Sequence, residues 1–502
     1  MSAGSSTALT RLLDRIERAG NRLPHPTLLF VYLCGLVLLL SALASLAALR
    51  ATHPVSGELI QVRSLLGGDG LRWMLTSAVT NFTGFAPVGT VLVAILGIGV
   101  AEHMGLLGTA LRGLVLKAPA QLLSAAVVFA GVMSSLDADA GYVVLIPLAG
   151  MMFAAAGRSP LAGIAAAFAG VSGGYSANLL IGPVDALLAG ISTEAVRLVA
   201  ADYTVSAAGN YYFLVVSTVL ITALGTLVTE RLISPKLDAG DAGAAPEPLS
   251  DAERRGLRAC ALFTLLFIAA LLLAVVPAWG VLRNPETGGL LPSPFIDGIV
   301  VLIALYAALA GLVYGRATRA DKTLVGGMEA SMATMAGYLV LMFFAAQFVN
   351  WFGWSQLGSI AAISGAQWLA AIEPGPVSLL VGLVVLAAAI NLLIGSASAK
   401  WALLAPVFVP MFYLLGISPE ATQVAYRVGD SSTNIITPLM PYFGVVVAFA
   451  QRWQPNIGIG TLIALMLPYS VALLLGWSAM LALWLLAGLP MGPGADAILA
   501  IP

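Results

Sequence analysis

Charge is scarce in this chain. Lys, Arg, Asp and Glu make up 9% of its 502 residues, against about a quarter in an ordinary soluble domain. That shortage excludes a water-soluble globular enzyme. Cysteine is almost missing: Cys34 and Cys260 both lie in apolar runs, where they behave as small core residues, so neither a disulfide framework nor a cysteine metal site is available. The three histidines, His25, His53 and His103, are scattered and suggest no metal centre. No Walker sequence, dinucleotide fingerprint or zinc-ligand spacing occurs, and nothing in the chain supports ATP-driven transport or a nucleophile–base set for catalysis. A formal net charge of −1 gives no reason to expect a nucleic-acid partner. A cleavable signal peptide is not evident, because the start mixes Arg11, Arg15, Arg18 and Arg22 with Asp14 and Glu17. It reads as a cytoplasmic amphipathic segment, residues 1–26.

What remains is hydrophobic. Apolar residues make up 60% of the chain, in repeated runs long enough to cross a bilayer. The most informative feature is a repeat. Aligned without gaps so that Ala138 meets Ala397, the stretch Met133–Pro160 also places Ala140, Leu145, Pro147, Met152, Phe153, Gly157, Ser159 and Pro160 on Ala399, Leu404, Pro406, Met411, Phe412, Gly416, Ser418 and Pro419. Each copy ends in a Gly-x-Ser-Pro turn. Internal repeats of this kind mark secondary transporters.

In each copy two apolar arms flank a polar tip, and the arms of the first are too short to span the bilayer at 1.5 Å per residue. They read as re-entrant hairpins, about 121–156 and 376–415, whose irregular backbone is tolerable only against protein or a cavity. Each hairpin is followed by a broken helix, about 160–189 and 419–450. The polar runs 170–178 and 429–438 are expected to interrupt these helices, the second assisted by Pro438. The chain thus divides into a first membrane half, 27–229, a charged Gly/Pro/Ala-rich cytoplasmic linker, 230–258, a second half, 259–488, and a tail, 489–502. The expected fold is all-α and polytopic, with nine transmembrane helices and two hairpins. With the N-terminus inside, only Arg50, Arg63, Arg72, Arg197 and Arg283 fall outside, and Lys400 and Arg427 lie at membrane depth. The remaining basic residues are cytoplasmic, as the positive-inside tendency demands. The two Gly-x-Ser-Pro turns then lie on opposite faces, so the repeats are inverted, as alternating access requires.

Charges within membrane spans are costly and face a path or site. Arg427 and Asp430 stand three apart on one helical face and can pair. Asp430, Ser431, Ser432 and Asn434 in the second break offer the hard oxygen ligands that Na⁺ takes, and Ser176 and Asn178 supply more from the first. Asp185 follows that first break. Asp137 and Asp139 at the first hairpin tip, with Asp430, are candidates for a proton relay. The second tip carries Asn391, Ser396, Lys400 and Trp401. Lys400 can attract a substrate carboxylate, compensate Asp430 or anchor the hairpin. Trp401 can stack on an aromatic ligand or simply pack.

The run Asn391-Leu-Leu-Ile-Gly-Ser-Ala-Ser-Ala-Lys-Trp401, with Tyr426-Arg-Val-Gly-Asp-Ser-Ser-Thr-Asn434 and the Gly-Gly-Tyr-Ser-Ala-Asn-Leu break, resembles the p-aminobenzoyl-glutamate transporter family, AbgT, over almost the whole chain. The resemblance implies a bacterial inner-membrane homodimer with an inner scaffold and an outer layer bearing the hairpins. It implies uptake of p-aminobenzoyl-glutamate, export of sulfonamide antimetabolites, or both. It places the family's functional residues on Asn391, Trp401, Arg427, Asp430 and either Pro438 or Pro441, with Asp185 as the acidic residue of the first half and the cation region at the two breaks. No cofactor is expected. The coupling ion is H⁺, Na⁺ or both, and the direction of transport stays open. The competing reading is a transporter of dicarboxylates or other organic anions with related hairpins; Trp401 and Arg427 argue mildly against a small aliphatic acid.

Overall fold

A computed structural model describes residues 26–52, 57, 59–136, 141–237, 246–290, 293–440 and 442–499. The expected N-terminal segment and both Asp137 and Asp139 lie outside them, as does Pro441. Almost everything described is helix; a two-stranded ribbon, β1 (Arg50–Thr52) and β2 (Leu59–Gln61), is the only sheet there.

The first half begins with α1 (Pro26–Leu46). Next come α2 (Gly68–Thr83) and α3 (Ala86–His103), which meet at Gly84–Phe85 within one interrupted span. The short α4 (Leu106–Leu116) leads through a 117° bend into the first hairpin. The hairpin's arms are α5 (Leu123–Met133) and α6 (Ile146–Ala155), with a wide turn at Gly141–Leu145 opening the second. At 11 residues, α5 is about 16 Å long, half the ~30 Å of a hydrocarbon core, so the hairpin enters and returns. Helix α7 (Pro160–Phe168), extended by a wide turn to Gly173, and α8 (Pro183–Val196) form the first broken helix. Helix α9 (Tyr211–Val228) closes this half and continues in looser turns to Lys236.

The second half repeats the order. After α10 (Asp251–Val275) and α11 (Ile299–Thr318) come α12 (Leu324–Ala333), α13 (Ala336–Trp354) and α14 (Leu357–Ile372). The second hairpin is α15 (Pro376–Asn391) and α16 (Ala397–Tyr413). The second broken helix is α17 (Pro419–Asn434) with α18 (Phe443–Gln451), and α19 (Ile459–Leu486) ends the bundle. Among the described residues seven spans, the interrupted α2–α3 included, are apolar and long enough to cross a membrane; α7–α8 and α17–α18 supply two broken ones.

Helix starts follow local chemistry. Proline opens α7, α8, α15 and α17, where its missing N–H is no loss. Ser396 and Ser418 cap α16 and α17 by accepting from the amides of Ala399 and Ala421. Helix α10 starts at Asp251 because Ser250 and Glu253 form a capping box, so part of the expected linker, 251–258, is helical.

The second break lies further along than its polar run suggested: regular helix persists through Asp430-Ser-Ser-Thr-Asn434 and stops after Asn434. In the first half the α-helix ends at Phe168, and a wide turn and irregular backbone cover the polar run 170–178. The hydroxyls explain the difference. Ser432 and Thr433 donate to the Gly429 carbonyl at 3.2 and 3.0 Å, satisfying themselves without disturbing the helix. The interruption comes at Pro438, which lacks the donor.

The repeat alignment holds in three dimensions. Gly170 of the first broken helix lies against hairpin 1 so closely that a Cβ would fall 2.4 Å from the Val128 carbonyl oxygen. Its counterpart Gly429 meets the Val384 carbonyl at 2.2 Å. Asn178 donates to the carbonyl of Met133, and its counterpart Thr437 to that of Leu392, the residue aligned with Met133. One large core joins hairpin 1, α7, α9, α15, α17 and α19; a second gathers α1, α8, α13, α16 and the Trp401–Tyr426 pair.

Candidate functional site

Helix α17 is the post on which the site is built: all of its residues are buried, although most are polar. A polar helix at the centre of an apolar bundle is affordable only if neighbours satisfy it. Three neighbours do so.

Hairpin 2 is the first. Lys400 and Asp430 form an ion pair with each side chain 1% exposed. The Lys400 ammonium also donates to the Asn391 side-chain oxygen. The Asn391 amide nitrogen faces the Asp430 carbonyl (2.7 Å), the Thr433 hydroxyl (2.9 Å) and the Asn434 side-chain oxygen (3.0 Å). One asparagine thus ties the end of α15 to the last turn of α17. The second neighbour is α8. Arg427 donates to Asp185 at 2.5 Å, and the other Asp185 oxygen accepts the Gly182 amide at 2.7 Å. Asp185 lies in the first turn of its half-helix, where the helix dipole favours a carboxylate.

Arg427 and Asp430 therefore do not pair with each other, contrary to the expectation from their spacing. Each finds a partner on another element, because a buried charge gains more from a fully desolvated partner than from an i,i+3 neighbour. The cluster holds two cations and two anions.

The third neighbour is aromatic. Trp401 is fully buried and stacks on Tyr426, with centroids 4.6 Å apart. Its indole N–H points at the Leu188 carbonyl (3.2 Å) and the Ser192 hydroxyl (3.1 Å). From there a chain of hydrogen bonds runs along α17. Ser192 donates to Gln423, Gln423 to Asn210, and Asn210 to the Glu420 carbonyl. Tyr203 donates to the buried Glu420 carboxylate at 2.9 Å.

Not every polar atom is satisfied. The Ser431 hydroxyl and two Arg427 guanidinium nitrogens, Nε and Nη1, are buried without a hydrogen-bond partner. Each such atom costs about 1–3 kcal/mol, which is tolerable where a ligand is to be met. Ser396 stays at the mouth of hairpin 2, its hydroxyl 3.2 Å from that of Ser398. Pro438 is half-buried within the break.

Ser176 and Asn178 are buried within the first break. Asn178 donates to the Ser135 hydroxyl at 2.7 Å and accepts the Leu180 amide. Among the described residues no hydrogen bond joins Ser176 or Asn178 to Asp430, Ser431, Ser432 or Asn434, so the oxygen-rich residues form two groups, one per hairpin. Nor do three His, Cys, Asp or Glu side chains converge as a metal site among the described residues. The groups are bridged by Tyr142, stacked on Tyr442 at 4.3 Å, and by Ser172, whose hydroxyl is 3.6 Å from the Met440 sulfur.

Sequence reasoning missed Tyr426, Gln423, Glu420 and Tyr175. Tyr175, in the first break, lies within electrostatic reach of Asp430, Arg427 and Asp185. The repeat held a further clue. Asn391, Lys400, Arg427 and Asp430 align with Val132, Gly141, Phe168 and Val171. Each of these three charged positions is thus apolar or glycine in the first half, whose contribution to the described ionic cluster is Asp185 on α8.

A helical membrane protein whose hairpins and interrupted helices enclose a neutral cluster of buried ions has the architecture of a secondary transporter. Residues 11–499 match the model of the AbgT putative transporter family, and the chain belongs to that family. It is 40% identical over 498 residues to the p-aminobenzoyl-glutamate transport protein of Escherichia coli (strain K12), covering 98% of both chains. Among solved structures, the Alcanivorax borkumensis YdaH transporter, described as having an unusual topology, is 57% identical with a TM-score of 0.90, over 94% of this chain and 100% of that one. Neisseria gonorrhoeae MtrF, described within a class of antimetabolite efflux pumps, is 44% identical, also with a TM-score of 0.90, over 97% and 100%.

Proposed function

We propose that this protein is an ion-coupled secondary transporter of p-aminobenzoyl-glutamate and of sulfonamide-type antimetabolites, working by alternating access in a bacterial inner membrane with its N-terminus inside. The observation that carries this reading is the charge balance of the site. Two buried cations are each held by one carboxylate. An anionic substrate can bind only if one cation is released, and neutralising a carboxylate with H⁺ or Na⁺ does that. Asp430, flanked by Ser431, Ser432 and Asn434, is the group to be neutralised; Lys400 then turns to the substrate carboxylate. Substrate anion and coupling cation thus bind together, which is the logic of symport; an uncharged sulfonamide amine gains nothing from it and can be carried the other way.

Trp401 meets an aminobenzoyl ring only when hairpin 2 moves off α17, because Tyr426 and α8 now enclose it. A homodimer agrees with α10, an apolar helix only 6% buried within the chain, which needs lipid or a second copy against it.

The test is reconstitution into liposomes with labelled p-aminobenzoyl-glutamate and, separately, a labelled sulfonamide, under proton and Na⁺ gradients imposed singly and reversed. Uptake of the glutamate conjugate that follows one cation gradient and saturates supports the proposal. Flux indifferent to both gradients, or a preference for small dicarboxylates lacking an aromatic ring, overturns it.

A further inference from the structure

A groove runs along the outside of hairpin 1, away from the ion-pair cluster. It consists of two adjoining cavities of about 610 and 390 Å³, between α5 and α9, which share Ala125, Phe129 and Thr222 as lining. Its α9 wall extends from Thr218 to Arg231, roughly 20 Å at 1.5 Å per residue, rather more than one leaflet of a ~30 Å hydrocarbon core.

The wall contains three threonines, yet it is not polar. Thr218, Thr222 and Thr226 each donate to the carbonyl four residues back, at 3.0, 2.7 and 2.6 Å. With their hydroxyls turned into the helix they present methyl groups. The rest of the wall is Phe129, Leu122, Val219 and Leu227, ending at Leu179 in the first break.

Polarity is confined to one end. Glu230 there is already engaged, accepting from Arg158 at 2.7 Å and from the Ser124 hydroxyl at 2.5 Å. Lys117 and Arg231, which line the two cavities at that end, are exposed and take part in no ion pair among the described residues.

We propose that this groove binds one anionic phospholipid, with its phosphate between Lys117 and Arg231 and an acyl chain along α9 reaching Leu179. The charge pattern selects the occupant. A long apolar channel with cations only at its interfacial end matches an amphiphile with a negative head; a substrate as polar as a glutamate conjugate would find no partner along the methyl-lined wall. The site also has a consequence for hairpin 1. The acyl chain lies against the arm α5 and ends at the break containing Asn178, so the lipid is a further packing surface for hairpin 1.

The test is native mass spectrometry of the purified full-length protein with phosphatidylglycerol or phosphatidylcholine of identical acyl chains. We expect one phosphatidylglycerol to be retained at collision energies that strip phosphatidylcholine, a preference of several-fold. Lys117→Ala with Arg231→Ala, both on the surface and harmless to folding, should abolish the preference. Ala125→Trp, which fills the channel, should lower retention of both lipids. Equal retention of the two lipids by the unaltered protein, or a preference that survives the double replacement, overturns the proposal. So does rapid disulfide cross-linking of Thr222→Cys between chains in native membranes, which would assign the groove to a second copy.

Discussion

The Lys400–Asp430 pair makes a sharp prediction, because stability and function should part company there. Both side chains are 1% exposed, so deleting one leaves the other charged and dry. Asp430→Asn leaves the Lys400 ammonium with the Asn391 oxygen as its remaining partner; Lys400→Met leaves a carboxylate among hydroxyls. Breaking one side of such a pair costs about 3–5 kcal/mol, whereas replacing both members with groups of similar size is often neutral. Each single variant should therefore unfold far more readily in an SDS titration of the detergent-solubilised protein. The double variant Lys400→Met/Asp430→Asn should recover most of the loss, a coupling of several kcal/mol in a double-mutant cycle. Gradient-driven transport should be absent from all three, because the double variant regains packing without regaining an ionisable carboxylate. Additive destabilisation would show that the pair is not the unit described. Substantial coupled transport by the double variant would remove Asp430 from the mechanism.

Other predictions follow from the same contacts. Gly429→Ala and Gly170→Ala place a methyl group 2.2 and 2.4 Å from a carbonyl oxygen; each should cost at least the 1–3 kcal/mol typical of overpacking, visible as lower yield of monodisperse protein in size-exclusion chromatography, whereas Gly382→Ala, which meets nothing within 4 Å, should not. Trp401→Phe keeps a ring against Tyr426 but loses the donor to Ser192, so transport should weaken chiefly through KM, while Trp401→Ala should also destabilise by about 3–5 kcal/mol; equal behaviour of the two in transport and melting assays would deny the indole N–H a role. Single cysteines in place of the exposed Ala156 and Ile498, in a protein whose native cysteines are buried, should react with a membrane-impermeant maleimide from opposite sides in intact cells, Ile498 reporting the Gly416 turn through its pairing with Ile417. Labelling from one side would contradict the inverted arrangement.

Much of the architecture was legible because membrane spans announce themselves by length and hairpins by being too short. The Gly-x-Ser-Pro turns mark the repeat, and Gly170 and Gly429, which the same alignment pairs, fall where helix and hairpin touch. What the sequence hid was partnership. Arg427 and Asp430 are near in the chain but choose Asp185 and Lys400, a choice set by which elements tertiary packing brings to α17. The second break comes later than its composition suggests because a run of hydroxyl residues looks unhelical, whereas in an apolar bundle Ser432 and Thr433 bond back to Gly429 and the helix survives. The helical stretch 251–258 had a visible signal, Ser250-Asp-Ala-Glu253, outweighed by the charge around it. Nothing in the pattern of residues marks Gln423 or Ser192 as links to Trp401.

The apolar counterparts of the charged positions bear on how such a molecule opens. Parting hairpin 1 from α7 wets Val132, Phe168 and Val171, a penalty set by area and by temperature through the hydrophobic effect. Parting hairpin 2 from α17 separates Lys400 from Asp430, a penalty set by charge and altered at once by whatever ion or anion arrives. Among the described residues, a scaffold doubled in shape is thus held shut by two unlike means, apolar contact in one half and an ion pair open to its cargo in the other.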